Sequence, residues 1–100
     1  MKLGILVNTK DHAAAIAGIV RSATAKGHEV YLFAMDEGTR LLEEQAYVSL
    51  VELPGVIMSY CEHSAKELKV NTESLNPTID RSSQYSNAEM NHYSDKVLVL

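Results

Sequence analysis

Apolar runs bounded by polar residues predict three strands in the first part of the chain. Residues 2–7 form an almost continuous apolar run that ends in Asn8-Thr9-Lys10-Asp11, which is typical of a strand buried on both faces. Residues 28–35 are rich in the β-branched and aromatic side chains that strands favour. Residues 56–60 are a third apolar run, which follows the turn Pro54-Gly55.

A helix is predicted between the first two strands. Apolar side chains recur there at helical spacing, namely Ala13, Ile16, Ala17, Ile19, Val20 and Ala23. With Asp11 as the N-cap and Gly27 in the stop position, the predicted helix covers residues 12–26. Two strands joined by so short a helical crossover are parallel, and the connection between them is right-handed.

The segment between the second and third strands predicts shorter elements. Residues 39–45 favour a helix. Residues 46–53 fit either a strand, in which Val48, Leu50 and Glu52 occupy alternate positions, or a helix with Leu50, Val51 and Leu53 that ends before Pro54. We favour the helix.

The chain after the third strand is predicted to be mixed. A helix runs from Glu62 to near Val70, a polar loop covers residues 71–86, a short helix covers residues 87–93, and a strand covers residues 96–100. The whole pattern predicts a small three-layer α/β fold, with a mostly parallel sheet of about four to five strands flanked by helices.

Length, composition and charge limit the class of protein. One hundred residues with 46% hydrophobic content fit a single domain over residues 1–100. A net charge of −4 without a basic cluster argues against nucleic acid or an anionic membrane as the main partner. No apolar stretch approaches the roughly 20 residues that span a bilayer, and the N-terminus lacks a signal-peptide cleavage site. We therefore expect a cytoplasmic protein.

Cys61 is the only cysteine, and it lies where the third strand gives way to the helix that begins near Glu62. At such a junction, the unpaired N–H groups of the first helical turn favour the thiolate, which is the reactive form of cysteine. Cysteine is also among the residue types most often buried, where it packs as a small hydrophobe. A reactive thiol and a packed thiol are both open interpretations.

The histidines do not extend Cys61 into a metal site. Cys61 and His63 could be joined by a histidine from elsewhere in the chain, but no recognised ligand spacing is present and we predict no metal. A two-residue offset on a helix points His63 away from the cysteine side chain. We favour a solvated His63 over a proton donor beside the sulfur.

Five segments, in this order along the chain, carry a family resemblance. They are residues 2–7, residues 30–38, Gly55 to Cys61 followed by Ser64-Ala65, Ser83-Gln84, and residues 94–100. Together they resemble the DsrE/DsrF-like sulfur-relay family, and the most specific part is the strand that ends in cysteine with small residues three and four positions later. Members are small cytoplasmic α/β subunits that assemble into dimers, trimers or hexamers, and some carry sulfur as a cysteine persulfide.

The resemblance implies a persulfide on Cys61 and a pocket near Asn8, Met35 and Asp36, where strand ends converge at one edge of a parallel sheet. For Asp36 alone, helix capping is the simpler interpretation. Some members have a second cysteine at the position of Ser64. Other members lack the active cysteine and serve as structural subunits.

Three functions follow as hypotheses. The first is a sulfur carrier that receives sulfane sulfur on Cys61 from a donor protein and passes it to an acceptor, with His63 and Ser64 as further binding residues and no metal or organic cofactor. The second is a non-catalytic assembly or regulatory subunit with a buried Cys61. The third is a small-ligand-binding module. For each we expect a homo-oligomer, because so small a domain buries a limited share of its surface alone.

Overall fold

Five strands form one parallel sheet in the computed structural model, which describes residues 1–100 except for the side chain of Gln84. The strands are β1 (Lys2–Val7), β2 (Glu29–Ala34), β3 (Val56–Cys61), β4 (Asp80–Ser82) and β5 (Lys96–Val99). Their spatial order is β4-β3-β2-β1-β5, and all neighbours are parallel. The predicted α/β fold is confirmed, and the carboxyl ends of the strands lie at one edge. The Gln84 side chain, part of one segment behind the resemblance, lies outside the described residues.

Helix α1 (Ala13–Ala25) crosses from β1 to β2. Its N-cap is His12, whose carbonyl accepts from the Ile16 N–H at 2.9 Å, so the prediction of Asp11 as N-cap was wrong. Gly27 has a φ of 81°, and its N–H donates to the Thr24 carbonyl. A left-handed glycine with this hydrogen bond ends many helices, and the predicted stop at Gly27 is confirmed.

The connection from β2 to β3 is mainly helical, and it is broken into short pieces. It consists of a 3₁₀ helix at Asp36–Glu43, helix α2 (Gln45–Val48) and a second 3₁₀ helix at Ser49–Glu52. Glu44 has an extended backbone, which interrupts the helix predicted for residues 39–45. The helical interpretation of residues 46–53 is confirmed.

Helix α3 (Glu62–Glu67) starts where predicted and is shorter than predicted. It ends early because Lys69 adopts a φ of 56° and the Val70 N–H donates to the Ala65 carbonyl at 2.9 Å, a closing turn that glycine usually makes. The predicted loop over residues 71–86 was also partly wrong, because it contains β4. Helix α4 (Gln84–Tyr93) begins before the predicted start at residue 87.

The two faces of the sheet are covered unequally. Because successive residues of a strand point to opposite faces, Ile5, Leu32 and Met58 share one face, where they join α1 and α2 in the main core. We call this side the α1 face. The buried members of the main core are Ile5, Val7, Ile16, Val20, Val30, Leu32, Ala34, Leu41, Leu42, Tyr47, Leu50, Met58, Tyr60, Ala65, Val70 and Ile79.

The opposite side, which we call the α4 face, has a much smaller buried cluster. It consists of Phe33, Cys61 and Met90, with half-buried neighbours from β1, β2 and β5 and at the end of β2. On the same face, Ile57 is 55% exposed. Cys61 is therefore on the side of the sheet where a single helix gives partial cover.

Candidate functional site

Cys61 is the last residue of β3 and occupies the N-cap position of α3, as the junction predicts. Its backbone is extended, and its side chain makes no capping hydrogen bond. The side chain is 5% exposed and packs in the cluster with Phe33 and Met90. Burial was the second interpretation of the sequence, and it describes Cys61 in this structure.

The polar neighbour of Cys61 in the sheet is Ser82, its register partner on β4. The Ser82 hydroxyl contacts the Ser86 hydroxyl in the first turns of α4. The Ser83 side chain caps the same helix by accepting from the Tyr85 N–H at 3.2 Å. These contacts place the start of α4 immediately after the strand that pairs with Cys61.

An ion-pair network connects α3 to β4 on the outer side of this junction. The Glu62 carboxylate lies 3.1 Å from Lys66 Nζ and 3.4 Å from Arg81 Nε. The hydrogen bond from Lys66 is the main cause that lowers the pKa of Glu62, and the charges of Lys66 and Arg81 act in the same direction. The residue that follows Cys61 in the sequence is therefore a carboxylate that is paired with two cations.

His63 lies on the solvent side of α3, where the sequence favours it. Its imidazole is 3.0 Å from the Glu67 carboxylate, one helical turn later, and its side chain is 80% exposed. An exposed side chain on the outer surface of α3 does not contact a thiol that is buried in an apolar cluster of the sheet. The structure does not bring His63 to the sulfur.

The turn after β2 packs tightly over the carboxyl end of β1. The Met35 N–H donates to the Val7 carbonyl at 2.9 Å, and the Gly38 N–H donates to the Met35 carbonyl at 2.9 Å. Asp36 has a φ of 47°, a left-handed conformation that is uncommon outside glycine. A Cβ at Gly38 would lie 2.0 Å from the Val7 carbonyl oxygen, so no other residue fits there without moving β1.

The predicted pocket residues divide between two places. Asp36 and Ser64 line a cavity of about 200 Å³, together with Glu37, Glu67 and Leu68. Met35 instead packs against the cluster that contains Cys61. The cavity is rich in carboxylates, and Cys61 does not line it.

Asn8, the last of the predicted pocket residues, is half-buried just after the end of β1. Its backbone nitrogen faces the turn, 3.1 Å from the position that a Cβ on Gly38 would take. It therefore supports the turn that holds Asp36.

Two of the other cavities lie away from Cys61. One, of about 750 Å³, is bounded by the end of the first 3₁₀ helix, by α2 and the second 3₁₀ helix, and by the loop over residues 71–77. The other, of about 220 Å³, lies on the α4 face beside Ile57, Met90 and Tyr93. None of the predicted site residues lines either cavity.

Sequence reasoning missed Phe33 and Met90, the two other buried members of the cluster that contains Cys61. Phe33 could have been found, because strand alternation in the register Phe33 to Ser59 places it on the face that Cys61 also points to. Met90 gave no such signal. Its helix has no apolar stripe, since polar residues surround that single methionine.

Two other kinds of site were sought in the described part of the chain. No three side chains of His, Cys, Asp or Glu come together there as a metal site. Within the same residues, no helix is both long and apolar enough to cross a membrane.

The fold and the junction together define a small three-layer α/β protein with a cysteine at the carboxyl end of a central parallel strand. The sequence matches the model of the DsrE/DsrF-like family over residues 1–100. The chain belongs to that family, and the resemblance noted in the sequence is confirmed. Membership points to sulfur relay in general terms.

Solved structures with the same fold come from bacteria and an archaeon. The ychN protein from E. coli has a TM-score of 0.70 at 16% identity, covering 99% of this chain and 97% of that chain. A protein of unknown function from Methanobacterium thermoautotrophicum has a TM-score of 0.73 at 14% identity, covering 99% and 98%. A conserved protein of unknown function from Bacteroides thetaiotaomicron has a TM-score of 0.76 at 14% identity, covering 99% and 94%. No curated protein matches the sequence.

Proposed function

We propose that this protein is a cytoplasmic sulfur carrier that holds sulfane sulfur as a persulfide on Cys61 and passes it to a partner protein. The observation that carries the proposal is the position of Cys61 at the end of β3 in a chain that matches the DsrE/DsrF-like family along its whole length. A thiol is the one side chain that both accepts and releases sulfane sulfur without a cofactor.

The reaction consists of two thiol exchanges. In loading, the Cys61 thiolate attacks the terminal sulfur of a donor persulfide, R–S–SH. A bond forms from Cys61 Sγ to that sulfur, the donor S–S bond breaks, and the donor leaves as the thiolate RS⁻. In delivery, an acceptor thiolate attacks the terminal sulfur of Cys61–S–SH and releases the Cys61 thiolate. Neither exchange needs a net oxidant or reductant.

The apolar surroundings of Cys61 suit the storage step. The thiol is 5% exposed and belongs to the apolar cluster on the α4 face that also contains Phe33 and Met90. Exposed thiolates are the most readily oxidised, and oxidation beyond the sulfenic acid is irreversible, so a buried position protects a persulfide between transfers. In this proposal, Cys61 is buried while it stores sulfur and becomes accessible when it exchanges sulfur.

Intact-protein mass spectrometry after incubation with a small persulfide donor tests the proposal. The wild-type chain should gain sulfur in a form that a reducing thiol removes, and Cys61→Ser should gain none. Ser59→Ala is the matched control, because Ser59 is buried on the same face of β3 and donates only a 3.4 Å hydrogen bond to Tyr31 Oη. Loading of Cys61→Ser, or no loading of a folded wild-type chain, would overturn the proposal.

A non-catalytic assembly or regulatory subunit is the second candidate. The observation in its favour is the 5% exposure of Cys61. Under this alternative, the thiol of the native protein would react with a labelling reagent only after global unfolding, and no sulfur would load. In both candidates we expect the protein to act as a homo-oligomer and to have a protein as its partner.

A further inference from the structure

The cavity of about 200 Å³ between the turn after β2 and α3 has an acidic lining. Three of its five lining residues are the carboxylates Asp36, Glu37 and Glu67, and the other two are Ser64 and Leu68. None of these residues is basic. A concave site lined by charges of one sign raises the local concentration of ions of the opposite sign. The cavity therefore favours a cation and disfavours an anion.

Ser64 contributes a hydroxyl without a partner to this cavity. It is one of three buried polar residues in the described part of the chain, and it is 7% exposed. The hydroxyls of the other two, Thr39 and Ser59, donate to neighbouring oxygens, whereas the Ser64 hydroxyl makes no hydrogen bond with a described residue. Among those residues, Tyr47 Oη is the only fully enclosed side-chain oxygen that lacks a partner, so the Ser64 oxygen is open to the cavity that it lines. Buried hydroxyls normally have a partner, and a bound donor would supply one here.

The three carboxylates differ in the partners that they already have. Glu37 is paired with Arg40, and Glu67 lies 3.0 Å from the His63 imidazole. Asp36 makes no ion pair with a described residue. It is therefore the carboxylate that is available to a bound cation.

The two available acceptors lie on elements that are held in place. Asp36 belongs to the turn that packs on the end of β1 through Gly38. Ser64 lies on α3, which contacts the 3₁₀ helix that begins at Asp36. A ligand meets acceptors that are already positioned, which lowers the entropic cost of binding.

The size of the cavity and its acceptors favour a primary ammonium group. Sites for drug-sized ligands occupy roughly 300–1,000 Å³, so a cavity of about 200 Å³ suits a group of the size of a side chain. An ammonium group has three donors around a compact charge, which fits acceptors on separate elements. A guanidinium group, by contrast, binds best to a single carboxylate through two parallel hydrogen bonds. Leu68 provides an apolar wall for an alkyl stem.

A divalent metal fits the cavity less well. Calcium and magnesium require about six or more oxygen ligands around one point. Within the described residues, no three side chains of His, Cys, Asp or Glu come together in that way.

We propose that this cavity binds a primary ammonium group on an aliphatic stem, with the Asp36 carboxylate and the Ser64 hydroxyl as its acceptors. A lysine side chain of a partner protein carries such a group, and so does a free alkylamine. The site does not rest on the proposed sulfur transfer, because Cys61 does not line the cavity.

Titration of the full chain with n-butylammonium chloride tests the site, with amide chemical shifts in NMR spectra as the measurement. The shifts should saturate, and they should be largest at residues 36–38 and 64–68. The neutral alcohol n-butanol has the same alkyl stem and is the matched probe. It should give no saturable shifts at these residues, because it lacks the charge that Asp36 binds.

Two variants and a control assign the acceptors. Asp36→Asn should raise the Kd for n-butylammonium at least about tenfold, because it removes the charge from a charge-assisted hydrogen bond. Asparagine tolerates the left-handed backbone at this position. Ser64→Ala removes a neutral acceptor and should raise the Kd about fivefold. Glu44→Gln is the matched control, since it removes one charge from an exposed residue outside the cavity, and it should leave the Kd within about twofold.

Two further probes distinguish the sources of the ammonium group. A lysine blocked at both its amino and carboxyl ends represents a protein side chain, and spermidine represents a free amine. Binding of the blocked lysine as tightly as n-butylammonium would assign the site to a lysine of a partner protein. Binding of spermidine without binding of the blocked lysine would assign it to a free amine.

Several outcomes would overturn the ammonium site. They are equal shifts with n-butanol, equal Kd values in Asp36→Asn and Glu44→Gln when both amide spectra are those of folded protein, and saturation of the same amides by Mg²⁺ or Ca²⁺ at lower concentration than by n-butylammonium. Cys61→Ser should bind n-butylammonium as the wild type does. Amine binding without sulfur loading would support this site and refute the proposed function, and sulfur loading without amine binding would do the reverse.

Discussion

Tyr47 is buried completely in the main core, and its phenolic oxygen has no hydrogen-bond partner among the described residues. A buried hydroxyl without a partner costs about 1–3 kcal/mol of desolvation. Burial also raises the pKa of Tyr47, because the phenolate would be charged inside an apolar core. Tyr47 contributes a large apolar ring to the core and leaves its oxygen without a hydrogen-bond partner among the described residues.

We predict that Tyr47→Phe raises the free energy of unfolding by about 1 kcal/mol, since it keeps the ring and removes the unpartnered oxygen. Urea denaturation at neutral pH measures the change. Tyr85→Phe is the control, because Tyr85 is 70% exposed, and it should change the stability by less than about 0.5 kcal/mol. A loss of stability in Tyr47→Phe would contradict the prediction.

The same substitution should change the alkaline limb of the stability profile. Since the pKa of Tyr47 is higher in the folded than in the unfolded state, its contribution is complete below the unfolded value of about 10 and is lost as the pH rises above it. The difference in stability between wild type and Tyr47→Phe should therefore widen above that pH. A constant difference would show that the phenol ionises equally in both states.

At the scale of elements, the turn after β2 is the tightest junction near the candidate site. Gly38 is buried against the Val7 carbonyl, and the Thr39 hydroxyl donates to the Asp36 carbonyl at 2.7 Å. The neighbour that a side chain at position 38 would meet is backbone, which cannot rotate away. The end of β1 and the start of the 3₁₀ helix are therefore held in fixed relation.

We predict that Gly38→Ala lowers the free energy of unfolding by at least about 2 kcal/mol, because the added methyl group forces β1 and the turn apart. Gly18→Ala is the matched control. It lies on the exposed side of α1 with nothing within 4 Å of an added Cβ, and it should stabilise by about 0.5–1 kcal/mol. Similar effects of the two substitutions in urea denaturation would contradict the close approach at position 38.

The sequence predicts the elements whose side chains are buried in a regular pattern. β1, α1, β2 and β3 carry that pattern, and their bounds agree with the structure to within two residues. β4 was missed because Asp80-Arg81-Ser82 is an exposed, polar edge strand that is specified by its pairing with β3. The spacing of apolar residues does not predict such a pairing between strands.

The candidate site, too, is predicted only where local sequence specifies it. The junction at Cys61 follows from local sequence, since an apolar run meets a helix former there. The cluster that contains its sulfur also includes Met90, which is 29 positions later in the sequence and in a helix without an apolar stripe. The early end of α3 depends on Lys69, a residue type that rarely adopts a left-handed backbone.

One face of the sheet is covered by the main core, and the other face is only partly covered. The α1 face carries the main core, whereas the α4 face leaves Ile57 and Val99 55% and 60% exposed. A cavity of about 220 Å³ lies between Ile57 and α4. Exposed apolar surface around a concave site is typical of a protein interface, and this face is where we expect the contact between subunits.

We predict that Ile57→Lys shifts the protein to a smaller species in light scattering coupled to size-exclusion chromatography, because it places a charge in that contact. Ala15→Lys is the control, since Ala15 is exposed on α1, the helix that covers the opposite face. A monomeric wild-type chain, or equal masses for wild type and Ile57→Lys, would refute the contact.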